Sequence, residues 1–116
     1  MSFCPVLVVL VFIVLDIVTG IAKAFATSGF DSSIMRQGFF HKLGELFAVV
    51  LALVADIGLP EIGVPLDVKL SGMCCVYLVL MEIGSIVENI GAINPELVGP
   101  LNNIFAKLKG GNHDSG

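Results

Sequence analysis

The chain has 116 residues, of which 56% are hydrophobic and 14% charged, with a formal net charge of −4 and a mean hydropathy of +0.98. Soluble domains carry about 25% charged residues, and a small one needs them to cover the large share of its surface left exposed. This composition excludes an ordinary soluble domain, and a modest acidic balance without a basic stripe excludes nucleic acid as a partner.

In chain order, the first apolar segment covers about residues 3–24. It is free of charge from Phe3 to Leu15 and resumes after Asp16 as far as Ala22. Ala22-Lys23-Ala24 looks like a small-x-small cleavage site, but no Lys or Arg precedes Phe3, whereas a signal peptide has a basic leading region and a shorter apolar core. A second segment, about 43–59, is interrupted by Glu45 and Asp56, and a third, about 69–88, carries Glu82 near its middle. Crossing the hydrocarbon core takes roughly 17–25 mainly apolar residues, so three spans are predicted. The fold class is an all-α integral membrane protein.

The connecting pieces are short. Asp31-Ser32-Ser33 supplies capping side chains, which predicts an amphipathic lead-in over 33–42. Asn94-Pro95-Glu96 combines a cap, a proline at the first helical position and an acid in the first turn. Leu97, Leu101, Ile104, Phe105 and Leu108 then recur at helical spacing. This predicts an amphipathic helix over about 95–108 on the inner membrane surface. Residues 1–109 read as a single membrane domain, and Gly110 to Gly116 as a disordered tail.

Orientation follows from the cations. Lys23, Arg36 and Lys42 lie at or in the first connection, and Lys107 and Lys109 follow span three, while Lys69 alone lies in the second connection. The positive side is cytoplasmic, so the N-terminus is outside and the C-terminus inside.

An ionisable residue at mid-bilayer costs roughly 2.5–3.5 kcal/mol on insertion scales, against a gain of about 0.3–0.6 for each large apolar residue. Such residues face a bundle interior or water, and function is sought there. In span one, Asp16, Thr19, Gly20, Lys23 and Thr27 share a face at 100° per residue; in span three, Ser71, Cys75, Glu82, Ser85 and Asn89 do the same. An offset of 66 residues pairs Asp16 with Glu82, Thr19 with Ser85 and Lys23 with Asn89. Two readings stay open: interhelical hydrogen bonds that glue a bundle, or a face that lines water. In span two, Gly44, Ala48, Ala52 and Ala55 form a small-residue ridge that lets helices approach closely, and Glu45 and Asp56 are expected near the headgroups.

No catalytic arrangement is legible. His41 is expected in a loop and His113 in the tail, and there is no glycine-rich phosphate cradle. Neither an enzyme nor a cofactor is expected. Cys4, Cys74 and Cys75 sit in apolar runs as packing residues, without metal-ligand spacing.

The stretch Asp16-Ile17-Val18-Thr19-Gly20-Ile21-Ala22-Lys23-Ala24 resembles the phage-lysis and toxin-secretion holin family. Ser32-Ser33-x-x-Arg36-x-Gly38 with Lys42, taken as a family-motif loop, and Glu82-x-x-Ser85-x-x-Glu88-Asn89 carry the resemblance on, over about residues 10–90. It implies a phage-encoded multi-pass protein of the bacterial cytoplasmic membrane that assembles with itself into lesions. Those lesions let a cell-wall hydrolase reach peptidoglycan, or in some relatives let a toxin out. Asp16, Thr19, Lys23, Glu82, Ser85 and Asn89 would line the lesion, and the span-two ridge would make the subunit contact. Two alternatives remain: an antiholin that delays a partner holin, and a small proton-coupled multidrug exporter. The exporter architecture has four spans and usually an aromatic-lined site, whereas this chain shows three spans, no Trp and one Tyr.

Overall fold

The computed structural model describes residues 4–27, 29 and 31–110. They form α1 (Cys4–Ala26), α2 (Ser32–Glu61), α3 (Leu70–Ile93) and α4 (Val98–Gly110), with a single 3-10 turn, Pro95–Leu97, leading into α4. No strand occurs among the described residues. The first three helices are each long and apolar enough to cross a membrane.

Local chemistry sets the boundaries. Asp31 caps α2, accepting from the Ser33 amide at 2.9 Å and the Ile34 amide at 3.4 Å. From there the helix runs unbroken for 30 residues, so the expected lead-in and the second span are one element. Ser32, Ser33, Arg36, Gly38, His41 and Lys42 are therefore helical rather than in a loop. No proline intervenes before Pro60, and the glycines at 38 and 44 do not stop a helix that is already nucleated. At about 45 Å, α2 exceeds the roughly 30 Å hydrocarbon core.

The far end of α2 closes as a Schellman motif. Gly63 has φ +92°, its amide donates to Pro60 O at 3.2 Å, and the Val64 amide donates to Leu59 O at 3.0 Å. At the other connection, Asn94 accepts from the Glu96 amide at 3.2 Å, as the Asn-Pro-Glu sequence predicts. The tail beyond residue 110, with His113, lies outside the described residues, as does the expected start of span one at Phe3.

The chain divides into two compact units, one of residues 1–10 and 31–79 and the other of residues 11–30 and 80–116. In the first, Val9, Val49, Ala52, Cys75 and Leu78 are buried, together with Glu45, Asp56 and Ser71. On α2 these fall at 45, 49, 52 and 56, one stripe at helical spacing, and Phe47, Leu51, Val54 and Ile57 stay exposed. In the second, Ile13 and Ile86 are buried with Asp16, Glu82 and Asn89. Here α4 turns back along α3 rather than standing away from it. A β-carbon at Gly84 would meet the Phe105 ring, and one at Gly91 would meet Val98.

Candidate functional site

The second unit carries a buried polar cluster between α1 and α3. Asp16 comes from the middle of α1, where Val14, Leu15, Ile17 and Val18 leave it as the polar member of an otherwise apolar stretch. Ser85 Oγ donates to Asp16 Oδ1 at 2.8 Å, and Asn89 Nδ2 donates to the same oxygen at 2.9 Å. Asn89 also reaches Thr19 Oγ1 at 3.0 Å and the Asp16 carbonyl at 3.3 Å. Thr19 in turn donates back to its own helix, to Leu15 O at 2.9 Å. Spacing explains the convergence: 16 and 19 on α1, and 85 and 89 on α3, are neighbours on their helix faces.

The register differs from the 66-residue offset read off the sequence. The hydrogen bonds of Asp16 and Thr19 span 69, 70 and 73 residues, so Asp16 bonds to Ser85 about one turn, and to Asn89 about two turns, beyond the expected partner. The offset assumed equal depth along two parallel helices; the bonds follow the lengths of the side chains and the crossing of the helices. Glu82 is 1% exposed, more enclosed than any apolar residue of α3. Lys23 is exposed and stands outside the cluster. Gly20 lies 3.7 Å, at its β-carbon position, from Asn89 Nδ2, which leaves the amide room to reach across.

The first unit has two polar features the sequence did not separate. Asp56, expected near a headgroup, is 7% exposed and caps α3 from across the connection. Its Oδ1 accepts from the Leu70 amide at 2.6 Å, and its Oδ2 from the Ser71 amide at 3.1 Å and Ser71 Oγ at 2.5 Å. A helix start leaves amides unsatisfied and favours an anion, and a carboxylate 14 residues earlier supplies it. The signal was an acid and a serine flanking one short connection. Glu45, also expected near a headgroup, is 5% exposed and neither oxygen has a hydrogen-bond partner. His41 Nδ1 stands one turn back, 3.5 Å from Oε2, at ion-pair distance only.

The small-residue ridge of α2 is divided. Ala52 is buried within the chain, Ala48 and Ala55 are half-buried, and Gly44 is exposed with open space about its β-carbon position. No group of three or more metal-ligating side chains occurs among the described residues.

Compared with known protein families, residues 4–110 match the family model described as the bacteriophage holin family. No curated protein and no solved structure matches the chain.

Proposed function

The chain belongs to the bacteriophage holin family, and from that premise we propose that it accumulates in the cytoplasmic membrane of a host bacterium, assembles with copies of itself and opens lesions. Through those lesions a cell-wall hydrolase reaches peptidoglycan; the same route would let a toxin out. The chain itself does no covalent chemistry, and its partners are the bilayer and further copies of the same chain.

One observation carries this reading: a satisfied polar cluster inside otherwise apolar spans, made by Asp16, Thr19, Ser85 and Asn89. A polar group in hydrocarbon must bond within the protein or meet water. The cluster fits the first condition, a dry form in which the polar faces close on each other. Crowding of many copies favours the second, rings in which Asp16, Thr19, Glu82, Ser85 and Asn89 turn to water, with Lys23 at the inner rim. Gly44 and Ala48 are the part of the α2 ridge left open for a neighbouring copy.

Expression of the chain alone in bacteria tests this. The expected result is a delay, then a sudden collapse of membrane potential, then lysis when a hydrolase is co-expressed. A potential that stays intact overturns the lesion reading. A chain that instead postpones lysis by a second holin acts as an antiholin, and drug efflux without collapse marks a transporter.

A further inference from the structure

α4 sits on α3 through two glycines. A β-carbon at Gly84 would lie 3.2 Å from the tip of the Phe105 ring, and one at Gly91 would lie 2.8 Å from a Val98 methyl. Gly84 and Gly91 are seven residues apart, and so are Val98 and Phe105. Both contacts therefore belong to one antiparallel register, in which two side chains of α4 fill two notches on a single face of α3. At 100° per residue the notches lie about 20° apart around α3, and roughly 130° from Ser85 and Asn89. α3 thus presents one face to the polar cluster and another to α4.

The seat is deep. Gly84 lies nine residues before Ile93, the last residue of α3, which is about 14 Å along the helix. α3 has 24 residues, about 36 Å, only a little longer than the roughly 30 Å hydrocarbon core. When α3 spans, Phe105 is well inside the membrane, and Lys107 and Lys109 continue beyond it. An interfacial helix lying flat on the inner surface cannot make the Phe105 contact.

The two flanks of the seated helix differ. On one side Leu97, Ile104 and Leu108 are exposed. On the other, Asn102, Phe105, Ala106, Lys109 and Gly110 line a shallow groove, with the Lys109 ammonium 5.5 Å above the Phe105 ring and Asn102 and Lys109 exposed. Cations at hydrocarbon depth face a water-filled space or pay heavily for lipid contact. An exposed apolar flank beside an exposed cationic one fits a boundary, with lipid on the first and water on the second.

We propose that α4 is part of the lesion wall: seated on Gly84 and Gly91, it turns Leu97, Ile104 and Leu108 to lipid and Asn102 and Lys109 to the water of the lesion. This rests on the lesion-forming reading above. α4 is already seated on Gly84 and Gly91 while the Asp16 cluster is closed, and the water of the lesion reaches its Asn102 and Lys109 flank when copies assemble.

The full chain, with its native cysteines replaced by alanine, is reconstituted in vesicles of phosphatidylethanolamine and phosphatidylglycerol loaded with a small dye. Asn102→Cys and Ile104→Cys are each treated with a charged, impermeant thiosulfonate while leakage is followed. Asn102→Cys is expected to react about tenfold faster or more, because a thiol in lipid lacks the water and thiolate form the reagent needs, and its modification is expected to change the leak rate. Ile104→Cys is expected to leave the leak unchanged. Adding Gly91→Leu, which fills a notch, is expected to abolish the difference between the two positions. Leaking vesicles in which both positions react alike, or in which neither modification alters the leak, overturn the placement of α4 alone. Vesicles that stay tight with the unmodified chain overturn the lesion reading, and this placement with it.

Discussion

Asp16 is held by two donors on one oxygen, Ser85 Oγ and Asn89 Nδ2, and each such bond between membrane helices is worth about 0.6 kcal/mol on average. Ser85→Ala and Asn89→Ala are therefore expected to lower the stability of the purified protein in detergent by roughly 0.5–2 kcal/mol each, with Asn89→Ala the larger because it also loses Thr19. Denaturant titration checks this. Asp16→Asn keeps an acceptor but removes the hydration a carboxylate gains when it meets water, and Glu82→Gln does the same at the most enclosed position of α3. Each is expected to insert normally and to delay lysis at matched protein level. Wild-type lysis times for both and for the double variant would leave the cluster as bundle glue. Glu45 has no hydrogen-bond partner for either oxygen, and a buried group left so costs about 1–3 kcal/mol. Glu45→Leu is accordingly expected to raise stability in detergent by about that amount; a loss of stability would show that a partner reaches those oxygens in the membrane.

At the scale of the element, the first turn of α3 depends on a residue of α2. Asp56→Ala is expected to release the Leu70 and Ser71 amides, seen as faster hydrogen exchange there while the centre of α3 stays protected. Asp56→Asn, which keeps one acceptor, is expected to fall between. Unchanged exchange in Asp56→Ala would mean that Lys69 and the following turn cap the helix unaided. The α2 ridge behaves as two parts. Ala52 is buried in the chain, so Ala52→Leu overpacks the protein itself. Gly44 has open space, so Gly44→Leu is expected to leave the single chain intact and to weaken crosslinked oligomers. Undiminished crosslinking in both Gly44→Leu and Ala48→Leu would remove α2 from the subunit contact.

At the scale of the whole molecule, the distribution of Lys and Arg predicts that the three spans run with the N-terminus outside. With the native cysteines replaced, a thiol placed at Glu61 is expected to be labelled by an impermeant reagent on intact cells, and one at Ser32 only after permeabilisation. The reverse pattern would invert the orientation and place α4 on the outer side.

The number and class of the helices were legible in the sequence because crossing hydrocarbon demands long apolar runs whose backbone bonds are satisfied within each segment. The caps at Asp31 and Asn94 were legible for a related reason: they are local bonds over two or three residues. The polar faces of α1 and α3 could be read from periodicity, but their register could not, since it depends on how Asn89 and Ser85 reach across to Asp16. The lead-in expected over 33–42 continues into span two as one helix, and the family-motif positions labelled a loop are part of it, because a motif carries no information about continuity, whereas an uninterrupted chain after a good cap does. Only the tertiary structure decided that Asp56 caps a helix 14 residues away, that Glu45 is enclosed, and that Phe105 and Val98 occupy notches at Gly84 and Gly91. Each is a meeting of residues distant in the chain, fixed by side-chain shape and helix crossing rather than by any pattern along it.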